Sequence, residues 1–421
     1  MRRFAWMLVL GCFVGCSGVA TTTTENEPAL KDLELPPEVA SFFESGDLVQ
    51  AVSTLSAMIE KQPRDERLYS LRATAFHRSG QKDAALADLN KAVELNPTDA
   101  RLFNNRGFVA LSMEKFEAAL SDFDKATQLS SKFTNAYNNR GLLFIAQQRF
   151  DEAIKEFNRA IEIDSQYVDA YNNRGFAELE SGQIEPALDD FNLALQINPQ
   201  YINAYNNRGL LRARVGDFEN AVIDFTQAMM IDPLNPKYYQ HRCEVYYRQG
   251  AIDKAIADEK KIIWLVQLHQ LSMQIATSAK PVHELTQRAD HYLQVNDNQN
   301  ALADLNRAIT LDPRSAVALA SRANLHLRRK QMSEAKADAE ACLAIEPTQE
   351  AFSVLGDVFL SLGDYDRAIE NFAQARRVDP SVAEAYYAKS KALAEEGLVE
   401  KANTTLQQAL ALDPDVATRL R

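Results

Sequence analysis

The chain has 421 residues, of which 46% are hydrophobic and 25% charged, and its formal net charge is −12. That length exceeds one ordinary core and the composition is globular, so several domains or a repeat array are expected and wholesale disorder is not. The acidic balance argues against a phosphate-backbone partner, which needs clustered Lys and Arg, and no nucleic-acid partner is expected.

At the N-terminus, Met1-Arg2-Arg3 precedes an apolar run from Phe4 to Val14 and then Gly15-Cys16-Ser17. A short basic start, an apolar stretch and a small residue at its end describe a secretory signal. The run is too short to cross a bilayer core of about 30 Å as a helix. Phe13-Val14-Gly15-Cys16 resembles the bacterial lipobox. The resemblance implies a signal peptide over residues 1–15, lipidation at Cys16 and a lipid-anchored protein exported to the bacterial cell envelope. Leu10-Gly11-Cys12 is a second match with fewer apolar residues before it, so Cys16 is preferred; an ordinary cleaved signal fits the same residues. Cleavage at Cys16 would remove Arg2 and Arg3 and leave a charge of −12 − 2 = −14. Residues 16–34, with Thr21 to Thr24 and Pro28, lack periodicity and read as a flexible tether, with a reach of roughly 23 Å.

From there a period of 34 governs the chain. Asn-Asn-Arg-Gly stands at Asn104–Gly107, Asn138–Gly141, Asn172–Gly175 and Asn206–Gly209. A fixed period in this range marks a solenoid, whose units bury their apolar faces only against their neighbours. Within the unit from Ala100, Phe103, Gly107, Ala119, Phe123 and Ala126 alternate bulky and small residues, and Tyr137, Gly141, Ala153, Phe157 and Ala160 repeat the pattern. Pro97, Pro199, Pro233, Pro313, Pro347, Pro380 and Pro414 are expected to close the second helix of their units. Gly46, Gly80, Gly182, Gly216, Gly250, Gly363 and Gly397 fall in the intervening turn, where a left-handed residue ends a helix.

This pattern closely resembles the tetratricopeptide repeat family. The resemblance implies an all-α solenoid, a right-handed superhelix of about eleven helix-turn-helix repeats. Units start near Asp32, Glu66, Ala100, Thr134, Val168, Ile202, Pro236, Val282, Ala316, Gln349 and Ala383. Cys243 and Cys342 take small-residue places and are expected to be buried. The segment from His283 to His291 has Gln287 where a two-histidine zinc helix needs its second ligand, so neither metal nor cofactor is expected.

The family usually has leucine just before the small residue of helix A. Eight units here carry arginine: Arg72, Arg106, Arg140, Arg174, Arg208, Arg242, Arg288 and Arg322. Sixteen residues later the same units carry Asp88, Asp122, Glu156, Asp190, Asp224, Asp258, Asp304 and Asp338. The units with Glu38, Leu355 and Lys389 have Thr54, Asn371 and Thr405 instead. The match predicts bidentate ion pairs between helices, although arginines gripping a partner's carboxylates remain an alternative.

In the family, helix A lines a concave groove that holds ligands. The stripes expected to face it include Asn105, Phe108, Asn139, Leu142, Asn173, Phe176, Asn207 and Leu210. Two readings of the asparagines stand: amide ladders that hold an extended peptide's backbone, or asparagines that bond only within the array. Pro233 and Pro313 are 80 residues apart, two periods plus twelve. The surplus lies where Lys261 to Leu271 reads as one longer helix, either a joint or an interface. It divides the chain into an array over 35–270 of about seven repeats, a connector over 271–281 and an array over 282–421 of about four. Little chain follows the last unit, so that end is expected to be frayed or covered. The expected function is a lipid-anchored, non-catalytic scaffold for a protein or peptide partner. A spacer or assembly lipoprotein with an empty groove, and less so an envelope enzyme built on the solenoid, are the alternatives; oligomeric state is left open.

Overall fold

A computed structural model describes residues 36–420. The signal, Cys16 and the tether lie outside the described residues. Within them the chain is all helix: α1 (Pro37–Ser45), α2 (Leu48–Lys61), α3 (Glu66–Arg78), α4 (Lys82–Leu95), α5 (Ala100–Ser112), α6 (Phe116–Leu129), α7 (Thr134–Ala146), α8 (Phe150–Ile163), α9 (Val168–Glu180), α10 (Ile184–Ile197), α11 (Ile202–Val215) and α12 (Phe218–Ile231). There follow α13 (Pro236–Arg248), α14 (Ile252–Thr277), α15 (Val282–Leu293), α16 (Asn298–Leu311), α17 (Ala316–Arg328), α18 (Met332–Leu343), α19 (Gln349–Ser361), α20 (Tyr365–Gln374), α21 (Pro380–Glu395), α22 (Val399–Leu412) and α23 (Val416–Arg419). Odd-numbered helices to α21 are helix A of successive hairpins and even-numbered ones to α22 are helix B, so eleven hairpins follow in tandem.

Each hairpin turns on one residue in the left-handed region. Seven of these are the glycines of the turn, whereas Glu114, Gln148, Asn296 and Lys330 adopt positive φ in the other four. Inside the hairpin, the small place of helix A admits the aromatic of helix B. A Cβ added to Gly141 would lie 2.5 Å from Phe157 Cε1, a distance no side chain tolerates. Phe123, Phe157, Phe191, Phe225 and Phe372 are all fully buried in this way. Because these rings fill a space made by backbone, the helices are held closer than two full side chains would allow.

The chain divides into two compact units, with the boundary inside α14 between Asp258 and Glu259. This helix is unbroken from Ile252 to Thr277, so most of the expected connector over 271–281 is helix and the irregular part starts at Ser278. In the second unit the extension buries Leu265, Leu268, Leu271 and Ile275. It is locked to α15 by Trp264, which stacks on His291 at 4.8 Å between ring centroids. Trp264 Nε1 donates to the His291 carbonyl at 3.2 Å, and His291 Nε2 donates to the Trp264 carbonyl at 2.8 Å. Burial of the extra apolar turns explains why the helix outlasts its period.

Two other expectations change. Pro380 opens a helix rather than closing one: it occupies the first turn of α21, behind an Asp379 cap that accepts from the Ser381 amide. Proline suits that place because its missing N–H would have no partner there. Helix α20 before it is short, ten residues, and Arg376 at positive φ follows its end. The C-terminal end is covered from within the chain, since α23 places Val416, fully buried, against Ala383 and Ala409.

Candidate functional site

Two polar ladders run through the hairpins. In the first, each of the eight arginines meets the acid sixteen residues ahead on its own helix B. Arg106 Nε and Nη2 donate to Asp122 Oδ2 and Oδ1 at 2.9 and 2.7 Å, and Arg174 reaches Asp190 in the same manner at 2.7 and 2.6 Å. At Arg140 both nitrogens converge on one oxygen of Glu156, at 2.9 and 2.7 Å. Arg208 holds Asp224, which also accepts from Arg212 Nη1 at 2.7 Å. Aromatic rings three residues earlier lie beneath six of the guanidiniums, for example Phe103 below Arg106 with 5.5 Å to its centroid. Burial alone would lower the Arg140 pKa, but Glu156 and Asp124 outweigh it and hold it above its ordinary value.

The remaining nitrogen of each arginine reaches backwards to the preceding hairpin. Nη1 of Arg72, Arg106, Arg174, Arg208, Arg242, Arg288 and Arg322 donates to Ser56, Asn90, Asn158, Asn192, Thr226, Ser272 and Asn306, and Arg140 meets Asp124 likewise. One guanidinium therefore ties two helix B neighbours and its own helix A. A legible signal existed for this third contact: a polar residue stands sixteen positions before every ladder arginine, whereas Leu355 and Lys389 have Ala339 and Ala373 there.

The second ladder is built from the asparagines. Asn139 Nδ2 donates to Asn104 Oδ1 at 2.9 Å, Asn173 to Asn138 at 3.0 Å and Asn207 to Asn172 at 2.9 Å. Within repeats, Asn172 donates to Asn173 and Asn206 to Asn207, each at 3.2 Å. Asn105 ends the chain on Ser70 Oγ at 3.3 Å. At the other end, His241 holds the place of the second asparagine, and its Nδ1 lies 2.8 Å from Asn206 Oδ1. Since that oxygen accepts, the ladder selects the Nδ1–H form of the ring. Burial, with a smaller push from Lys237, lowers the His241 pKa to about 4.

These amides do not stand open in a groove. Asn105, Asn139 and Asn173 are buried and Asn207 is half-buried, so the amide ladder for a ligand backbone is replaced by one that joins helices A to each other. The physical reason is the close approach of successive helices A, which would leave unbonded amides buried at a cost of about 1–3 kcal/mol each. Of the apolar members of the stripe, Leu142 is buried, Phe108 and Phe176 are half-buried and Leu210 is exposed. Beside them Glu180 and Arg214 form an exposed pair at 3.4 Å. Cys243 and Cys342 are buried, and their thiols donate to the carbonyls of Ala255 and Ala316. Among the described residues no group of three or more His, Cys, Asp or Glu side chains could hold a metal ion, and no helix is long and apolar enough to cross a membrane.

Tetratricopeptide repeat models match residues 286–349 and 354–417, 168–201, and 100–133 and 202–233, and a further TPR repeat model matches 74–114 and 141–180. The chain is a solenoid of tetratricopeptide repeats. Human mitochondrial import receptor subunit TOM70 is 24% identical over 156 residues, 35% of this chain and 26% of that protein. The chain thus matches about a quarter of that relative's length. Among solved structures, the tetratricopeptide protein TTC0263 of Thermus thermophilus is 16% identical with a TM-score of 0.40, covering 43% of this chain and 99% of its own. PilF of Pseudomonas aeruginosa is 18% identical with a TM-score of 0.42, covering 51% and 95%. Proteins with this repeat are in general protein-interaction scaffolds and mostly non-catalytic.

Proposed function

We propose that this protein is a non-catalytic scaffold, held at a bacterial membrane by lipid on Cys16, that receives a protein or peptide partner along its helix A faces. The observation that carries the reading is the contrast on those faces. The polar ladders are closed within the array, while Phe108, Phe176 and Leu210 keep surface beside the charged pair Glu180–Arg214. A face with its amides internally bonded offers apolar contact and rim charge, which suits side-chain recognition more than a ligand's main chain. The basic start, apolar run and Gly15-Cys16 support the anchor. Several acyl chains hold a protein to a membrane stably where one does not. The word receptor in the name of TOM70 agrees with partner binding.

The test has two arms. Cys16→Ser is expected to abolish palmitate labelling and move the protein out of the membrane fraction, and retention of both would refute the anchor. A photo-crosslinker at Phe176 or Leu210 is expected to capture a partner in cells, while one at the exposed Met230 of α12 is not. Adducts from Met230 alone, or from none of the three, would refute the face.

A further inference from the structure

In five hairpins the residue four places after the ladder arginine also addresses the ion pair. Phe76, Tyr246 and Tyr292 set a ring against Arg72, Arg242 and Arg288 at 5.7, 5.6 and 5.9 Å. Arg212 donates to Asp224, and His326 Nε2 lies 3.7 Å from Asp338. In the fifth hairpin, α9 with α10, this place belongs to an acid, Glu178. It is only 8% exposed, and its Oε2 is buried without a hydrogen-bond partner. Two carboxyl groups there share one guanidinium, and Arg174 is turned to Asp190 and Asn158. The following hairpin has the reverse count, two guanidiniums on Asp224.

No other helix supplies a compensating charge. On α7, Arg140 is bound to Glu156 and Asp124. On α8, Asp151, Lys155, Arg159 and Glu162 are exposed and Glu152 pairs with Arg149. On α10, Asp189 and Glu185 are exposed and add negative charge. On α11, Arg208 and Arg212 hold Asp224, while Arg214 faces Glu180. Buried like charges at one site cannot both ionise cheaply, and a proton kept on the less well paired group resolves the conflict.

We propose that Glu178 keeps a proton beside Asp190, which makes the fifth hairpin a proton-released joint in an otherwise stapled array. Burial, then the charge of Asp190, pushes the Glu178 carboxyl from 4.5 up to about 7 against the pull of Arg174. The native chain therefore keeps a proton that the unfolded chain sheds above about 4.5. The joint is firmest below that value, weakens as pH rises from 4.5 to 7, and stays weak above. The full gap corresponds to about a 300-fold change in the opening equilibrium.

Hydrogen exchange resolved by peptide, corrected for the intrinsic pH dependence, tests this on the full chain. Between pH 5 and 8, protection of α9 and α10 is expected to fall at least about tenfold more in the natural protein than in Glu178→Gln, with no such difference over α5 and α6. Superimposable profiles would overturn the proposal. If that variant does not fold, the carbon-13 shift of the Glu178 carboxyl in the natural protein decides: a midpoint near 7 supports the joint, and one at or below about 4.5 removes it.

Discussion

Replacing Arg106 with alanine breaks three bonds at once, two to Asp122 and one to Asn90 on the preceding hairpin. Stranding one member of a buried ion pair costs about 3–5 kcal/mol. The Arg106 side chain is 23% exposed, so water relieves part of that penalty, but Asp122 is 9% exposed and would keep most of it. Adding the lost contact to Asn90, at about 1 kcal/mol, puts the expected loss at about 3–4 kcal/mol. Urea unfolding followed by circular dichroism measures it. Asp122→Ala is expected to cost a similar amount, and the double variant little more than either, so that the coupling is about 2–3 kcal/mol. Asn90→Ala, which removes the junction contact alone, is expected to cost about 1 kcal/mol. Arg106→Lys keeps the charge but not the fork geometry and is expected to fall between. Additive losses for Arg106→Ala and Asp122→Ala would show that the pair contributes nothing jointly and would refute the ladder as the staple between hairpins.

Gly141→Ala is expected to destabilise by about 1–3 kcal/mol, because its Cβ would meet the Phe157 ring at 2.5 Å; a neutral result in thermal unfolding would contradict the close packing. Asn139→Ala leaves Asn104 Oδ1 without its donor and is expected to lower stability by about 1–3 kcal/mol, whereas an unchanged urea midpoint would mean the amides are not joined. His241 is held neutral with its pKa lowered to about 4, so unfolding gains a proton as pH falls below about 6.5. Its contribution is present above 6.5 and is lost progressively down to 4, by up to about 3 kcal/mol. His241→Asn is expected to flatten that part of the stability–pH curve, and an unaltered slope would dismiss the His241 ring as its source. This acid-side loss has the opposite sign to the Glu178 effect, which is why the joint is tested locally.

Much of this architecture was legible from residue spacing. The recurrence of Asn-Asn-Arg-Gly every 34 residues, with glycine opposite phenylalanine, specifies hairpins and their internal contact. The arginines and acids sixteen apart announce their pairing because both ends of the bond lie within one hairpin, whose geometry the period dictates. Other features depend on the distance between hairpins, which periodicity does not encode. The stripe containing Asn105, Asn139 and Asn173 could equally have faced water or a neighbouring helix A, and only the close approach of those helices turned ligand-facing amides into an internal ladder. The same holds for the helix that runs on to Thr277 to bury Leu271 and Ile275, and for Glu178. A lone acid in a tolerant surface position becomes a buried carboxyl only when the neighbouring helices close over it.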